Sequence, residues 1–212
     1  MCRMKIRRSA LVLCCCPLFF LAAQTPKQSA PRAARVSLKI YSDSTNGVSF
    51  SYPADWKMSR EPSFYLAPLI FYPQQSAQAM VFRRPSGTLL ETNFAGLEFA
   101  YVARSEPDQV GCLEHITKDI DPKERRLETV TINGTRFFDI TTGDAGLCHQ
   151  ASRSIYETYR HRTCFLFEAA FYTVCADPDD GRAQLTAAQS KALFRPLDAI
   201  IQTVKISPAI NR

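Results

Sequence analysis

Four cysteines in the body of the chain, Cys112, Cys148, Cys164 and Cys175, could react with one another. None of them forms the CxxC spacing typical of a metal-binding or redox motif. Four cysteines can form two disulfides in three ways, and disulfides persist in oxidising compartments outside the cytosol. The sequence therefore predicts two disulfide bonds if the chain is exported.

The spacing of two predicted strands selects among the three connectivities. If residues 161–162 form a two-residue turn, Cys148 lies directly opposite Cys175 in an antiparallel pair, within the distance that a disulfide spans. Cys164 and Cys175 would lie on one strand, roughly 36 Å apart, and cannot bond. Cys164 is then left for Cys112, so we expect the bonds Cys112–Cys164 and Cys148–Cys175.

Residues for other chemistry are sparse. His115, His149 and His161 lack the spacing of metal ligands, and no phosphate-binding glycine loop or GxSxG motif is present. We therefore expect no cofactor, no metal and no enzymatic activity. The alternative is a periplasmic hydrolase or small-ligand-binding protein with a pocket near His115 or His149.

Arg153, Glu157 and Glu168 are predicted to share one face of the same hairpin. The other face carries three phenylalanines that alternate along its second strand and read as core: Phe165, Phe167 and Phe171. We expect the charged residues to form a cross-strand ion cluster, contributing about a few tenths of a kcal/mol per pair. A catalytic pair of carboxylates is the alternative interpretation.

The first residues predict export. Residues 1–23 combine a basic start with an apolar run from Ala10, a pattern typical of a signal peptide and too short for a membrane-spanning helix. Cys14 leaves a lipid-anchored surface protein as an alternative. We expect a flexible linker over residues 24–36, a single domain over 37–208 and a short tail over 209–212.

The charge of the chain argues against a nucleic-acid partner. The formal net charge is +6, but four of the 26 basic residues lie in the predicted signal peptide, which leaves 22 basic against 20 acidic residues. A mature protein so close to neutral has no basic surface of the kind that binds nucleic acid. A periplasmic or extracellular location is expected.

Turn signals and alternating strands organise the domain. Asn46 and Gly47 predict a tight turn, after which a strand runs to Pro53 and Trp56 covers its end. Asn133 and Gly134 give the strongest hairpin signal.

Helical and strand patterns complete this organisation. Asp108 is a predicted N-cap of a short helix, and residues 97–102 predict a half-buried strand. Residues 183–202 predict helix, with Pro196 starting its last segment, and residues 203–206 a closing strand. The pattern is that of an α+β fold, an antiparallel β-sheet built from hairpins and flanked by helices.

The stretch from Asn46 to Trp56, ending in Tyr-Pro-x-x-Trp, resembles the start of PsbP-like domains, the superfamily that includes extrinsic proteins of photosystem II. The helix followed by residues 203–206 is similar to the end of those domains. The resemblance implies an α/β/α sandwich and a binding or assembly role for another envelope protein. Such a role predicts an exposed apolar patch, for which the candidates are Phe64, Tyr65, Leu69 and Phe71.

Overall fold

The computed structural model describes residues 37–60, 78–84, 91–118, 120, 121, 123, 125–146, 149–176, 179 and 181–207. All of these belong to one compact unit, Val36–Arg212. The predicted signal peptide, linker and tail lie outside the described residues, as do the patch candidates Phe64, Tyr65, Leu69 and Phe71.

Strands dominate the part of the chain that is described, and two helices accompany them. The strands are β1 (Leu38–Asp43), β2 (Val48–Pro53), β3 (Lys57–Ser59), β4 (Gln78–Arg83), β5 (Phe94–Ser105), β6 (Arg125–Ile132), β7 (Thr135–Gly146), β8 (His149–Arg160), β9 (Thr163–Val174) and β10 (Lys205–Ile206). The helices are α1 (Gln109–Thr117) and α2 (Ala187–Ile201).

The strands form two antiparallel sheets. The small sheet has the order β1-β2-β10, and the large sheet has the order β3-β4-β5-β9-β8-β7-β6. Consecutive strands pair as hairpins on both sides of the β5–β9 junction. This confirms a sheet-dominated α+β architecture built from hairpins, in which the helical cover is minor.

The hairpin β8–β9 has the predicted two-residue turn. His161 and Arg162 occupy it with φ angles of 49° and 60°, the left-handed conformation that such turns require. The pairing runs from Arg160 with Thr163 to His149 with Val174 without a register shift. This is the register from which the disulfide pairing was predicted.

The two predicted Asn-Gly turns are also present. Gly47 has φ 67°, and the Asn46 side-chain amide donates a hydrogen bond to the Asp43 carboxylate at 2.7 Å. Asn133 and Gly134 have φ 46° and 77° between β6 and β7. Glycine adopts this region without the steric cost that a β-carbon imposes.

Asn133 also links its hairpin to the end of the domain. Its side-chain amide donates to the carbonyl oxygens of Gln202 and Val204, at 2.9 and 2.8 Å. These bonds connect the β6–β7 turn to the segment that follows α2.

One face of the large sheet, which we call the aromatic face, carries Phe82, Phe99, Tyr101, Phe137 and Phe167. Here the large sheet packs against the inner face of the small sheet and against α2, which contributes Leu193, Leu197, Ile200 and Ile201. Pro53 ends β2 as predicted, and Trp56 just beyond it is only 5% exposed within this core. The predicted core residues Phe165, Phe167 and Phe171 are buried on this face.

Two predictions about individual elements are wrong. Pro196 lies inside one continuous helix, which begins only at Ala187 after a capping box formed by Thr186 and Gln189. Burial of Leu193 and Leu197 on either side of the proline holds both halves against the core, which offsets the lost backbone hydrogen bond. The strand predicted over residues 97–102 is buried on both faces rather than half-buried.

Candidate functional site

The face opposite the aromatic face buries five charged side chains, and we call it the ionisable face: Glu98, Arg104, Arg153, Glu157 and Glu168. Arg153, Glu157 and Glu168 are 6%, 1% and 0% exposed. A cross-strand ion pair of the predicted cluster is present, between Arg153 and Glu168, but it is buried, so the small contribution expected of a surface pair does not apply. Strand alternation correctly grouped them on one face. Alternation carries no information about what covers that face.

The first group on the ionisable face is built around Glu168. Its Oε1 lies 3.2 Å from Arg153 Nε, and the Arg153 guanidinium carbon lies 5.9 Å from the centre of the Tyr172 ring. Between β4 and β5, Arg83 Nε lies 2.7 Å from Glu98 Oε1. One ion pair thus joins β8 to β9 and the other joins β4 to β5, and β5 is paired with β9.

Burial dominates the protonation of this group. It raises the pKa of Glu168 to about 8, against the lowering effect of Arg153 and with a further increase from Glu98. Burial, assisted by Glu168, likewise raises the pKa of Tyr172. Burial thus favours the protonated form of Glu168, whereas the neighbouring Arg153 favours the carboxylate.

The second group joins Glu157, Arg104 and a disulfide. Arg104 Nε lies 2.9 Å from Glu106 Oε1, and Arg104 Nη2 donates to the carbonyl oxygen of Cys112 at 3.1 Å. Burial raises the pKa of Glu157 to about 7, while Arg104 lowers it and Glu106 raises it. A carboxyl that changes charge near neutral pH thus lies in the interior.

The disulfide Cys112–Cys164 is present as predicted, with the two Cα atoms 5.6 Å apart. Helix α1 brings Cys112 to the sheet, and the Asp108 carboxylate caps this helix by accepting from the Gly111 amide at 2.8 Å. Both sulfurs are fully buried. The bond joins α1 covalently to β9.

Cys175 is also disulfide-bonded, and its bond is distinct from Cys112–Cys164. The predicted partner, Cys148, lies outside the described residues. The Cys148–Cys175 bond therefore stays a prediction.

A catalytic pair of carboxylates is not supported by this arrangement. Glu168 is grouped with Arg153, whereas Glu157 is grouped with Arg104 and the disulfide. Both carboxyls are at most 1% exposed. A substrate in solution does not reach either of them while the sheet is covered as described.

The predicted pocket near His115 and His149 is not tested, because both side chains lie outside the described part of the structure. The third histidine, His161, lines a groove of about 570 Å³ between the β1–β2 turn, the β8–β9 turn and Ser207. The sequence showed both tight turns, but not that the fold places them side by side.

Two of the exposed large apolar side chains among the described residues lie close together on β1. Leu38 and Ile40 are 59% and 75% exposed, and both stand on the outer face of the small sheet. Strand β1 is at the edge of that sheet, with β2 as its neighbour among the described strands. The edge position of β1 depends on pairing order, which is a tertiary property that the sequence does not reveal.

Within the described residues, no helix has the length and apolar character needed to cross a membrane.

No family model and no curated protein matches this sequence. Among solved structures, the chain is similar to PsbP of the cyanobacterium Synechocystis sp., with a TM-score of 0.47 and 12% identity over 86% of this chain and 100% of that one. It is also similar to LpqN, involved in cell envelope biogenesis of Mycobacterium tuberculosis (TM-score 0.43, 8% identity, 84% and 88% coverage). A third similar structure is the Ran-binding protein Mog1p of Saccharomyces cerevisiae (0.42, 8%, 81% and 96%).

The sequence prediction named PsbP-like proteins, and cyanobacterial PsbP is among the similar solved structures. At these identities and TM-scores, the likeness transfers neither an activity nor a partner to this chain.

Proposed function

We propose that this is an exported, non-catalytic protein-binding module of the cell envelope, and that strand β1 binds an extended segment of its partner. The observation that carries the proposal is the position of β1 at the edge of the small sheet among the described strands, with Leu38 and Ile40 exposed on one side. An extended peptide that adds to a sheet edge gains backbone hydrogen bonds, and alternate side chains give the specificity.

The surroundings of β1 indicate the chemistry of the partner segment. Lys39 lies between Leu38 and Ile40 in the sequence and is also exposed. Residues 37–42 contain no acidic residue. A lysine in an edge strand disfavours pairing with a further apolar strand. It favours a partner segment in which apolar residues that cover Leu38 and Ile40 alternate with Asp or Glu.

Export is part of the same proposal. It is supported by the basic and apolar pattern of residues 1–23 and by the buried disulfide Cys112–Cys164, since such bonds persist mainly outside the cytosol.

Site-specific photo-cross-linking in intact cells tests the proposal. A benzophenone amino acid at position 40 should give an adduct with one partner protein, and the cross-linked partner peptide should contain acidic and apolar residues. The same group at Leu127, which is 46% exposed on β6, is the matched control and should not give that adduct. The cross-linked protein should be recovered without residues 1–23.

The variant Ile40→Asp should abolish the adduct formed from a second cross-linker at Leu38, while Leu127→Asp leaves it intact. Because Ile40 is mostly exposed, neither variant should change the melting temperature by more than about 2 °C. Equal adducts from positions 40 and 127, or an adduct with a second copy of this chain, would show that β1 is not the proposed site.

A further inference from the structure

Glu157 lies beside the buried disulfide Cys112–Cys164, in a position that costs folding free energy. The side chain is 1% exposed, and neither carboxyl oxygen has a hydrogen-bond donor within the described residues. One of its oxygens and the sulfurs of Cys112 and Cys164 all lie within 4.8 Å of one another. A buried carboxyl without donors is costly to fold, so its place beside two sulfurs calls for an explanation.

A metal site is the first alternative, because two thiolates and a carboxylate are ligands that zinc accepts. The charge of Arg104 opposes it. This guanidinium acts electrostatically on Glu157 and donates to the Cys112 carbonyl, so it adds positive charge where a cation would bind. The two sulfurs are also already bonded to each other.

Proton transfer fits the arrangement better. When a thiolate attacks a disulfide, one sulfur forms a mixed disulfide with the attacking group and the other leaves as a thiolate. At this site the leaving thiolate would be fully buried, where a negative charge without a partner is unstable. A protonated carboxyl within 4.8 Å can neutralise it.

We propose that Cys112–Cys164 is a redox-active disulfide that exchanges with a dithiol protein, and that Glu157 donates the proton to the leaving sulfur. The dithiol supplies two electrons and two protons and becomes a disulfide, while Cys112 and Cys164 become two thiols. One of the two protons that they take up comes from Glu157 and the other from the dithiol, whose second proton passes to water, and Arg104 balances the carboxylate that is left. Re-oxidation returns that proton to Glu157.

Helix α1 provides the route of access. It is nine residues long, Val110 is 62% exposed, and Leu113 is only partly buried. The hydrogen bonds that hold the region to its surroundings include those from Arg104 to the Cys112 carbonyl and from Tyr159 to the Glu106 and Pro107 carbonyls. A short helix with exposed and partly buried side chains opens locally at a lower free energy than the whole domain.

The protonation of Glu157 suits this role at neutral pH. Burial raises its pKa to about 7, so a substantial fraction carries the proton that the leaving sulfur needs. Arg104 at the end of β5 and Glu106 just after that strand act electrostatically on Glu157, Tyr159 neighbours it on β8, and α1 carries Glu114 and His115. Histidine ordinarily titrates in the same range, so His115 is the residue of α1 to vary as a control.

The test is the rate at which dithiothreitol reduces Cys112–Cys164 in the folded protein, followed by alkylation and mass spectrometry and divided by the concentration of reagent thiolate. In the wild type, this normalised rate should fall by roughly tenfold or more between pH 6 and pH 8.5, as Glu157 loses its proton. Glu157→Gln should be slower at pH 6 and should lack this fall. His115→Asn is the matched control and should keep the wild-type profile.

Two results would overturn the proposal. A Glu157→Gln profile with the same pH dependence as the wild type would exclude Glu157 as the donor. A rate that does not depend on reagent concentration and equals the rate of global unfolding would show a purely structural disulfide. If Glu157→Gln does not fold, the pH dependence of the normalised rate is compared between Glu157→Asp, which keeps a proton donor, and the wild type. A fall with pH in both supports the proposal, and its absence in both overturns it.

Discussion

The aromatic face and the ionisable face of the large sheet are both buried, yet they contribute to the fold in different ways. On the aromatic face, Phe82 and Phe99 pack edge to face against Phe50, with ring centres 5.1 and 5.2 Å apart. Each such side chain leaves water with little polar cost, so burial itself is stabilising. On the ionisable face, Arg153 and Glu168 lose their hydration, and their attraction only partly offsets that loss.

The difference teaches that burial alone does not identify a stabilising residue. Removing a ring from the aromatic face leaves a cavity, whereas changing a charge on the ionisable face alters the response of the protein to pH. Two substitutions, one on each face, separate the cavity effect from the pH effect, and a third lies at a turn outside both faces.

The largest effect is expected from Trp56→Ala, on the aromatic side. Truncation of this buried ring should lower the free energy of unfolding by about 3–5 kcal/mol. The matched control, Met58→Ala, lies two residues further along with half of its surface exposed, and should change it by less than about 0.5 kcal/mol. Urea denaturation followed by circular dichroism is suitable, since Trp56 is the only tryptophan. A loss below about 1 kcal/mol for Trp56→Ala would be inconsistent with its place in the core.

An intermediate effect, confined to the ionisable face, is expected from pH. In the folded protein, burial raises the pKa of Glu157 to about 7 and of Glu168 to about 8, above the ordinary value of 4.5. At these two groups the folded state therefore binds more protons than the unfolded state, so the stability that they contribute is highest below pH 4.5 and falls as the pH rises to 8.

Glu157→Gln tests this directly. It should remove up to about 3 kcal/mol of the decline between pH 5 and pH 8, because one pKa unit corresponds to about 1.4 kcal/mol. Urea denaturation of both proteins at the two pH values is the measurement. Parallel pH profiles for the two proteins would mean that Glu157 is charged in the folded state throughout.

The smallest effect is expected from Asn133, at a turn that belongs to neither face. Asn133→Ala removes two hydrogen bonds to backbone carbonyls and places a residue with a β-carbon at φ 46°. The free energy of unfolding should fall by about 1–2 kcal/mol. Asn133→Gly loses the same bonds without the backbone cost, so thermal unfolding should place it between Ala and the wild type. If the two variants melt together, the left-handed conformation contributes nothing measurable.

Features set by local patterns were predictable from the sequence. The Asn133-Gly134 turn, the His161-Arg162 turn and the N-cap at Asp108 depend on neighbouring residues, and the structure contains all three. The Cys112–Cys164 bond followed from the register of one hairpin and from elimination among four cysteines.

Features set by tertiary packing were not predictable in the same way. Pro196 stands inside α2 because the core holds the helix on both sides of it, which no local rule reveals. The burial of Glu157 and Glu168 depends on what covers their face, and period-two alternation is the same for a solvated and a covered face. The edge position of β1 depends on strand order.

The pairing of β2 with β10 has a consequence for the order in which the domain can be assembled. The hydrogen bond from the Ser51 amide to the Thr203 hydroxyl joins residues 152 positions apart, next to the β2–β10 pairing. Because synthesis proceeds from the N-terminus, β2 is made early. Its second neighbour, β10, is made only after the strands and helices between them. Helix α2, which covers Phe171 through Phe194, arrives equally late. Residues synthesised much later than β2 therefore determine when the first strands are completed.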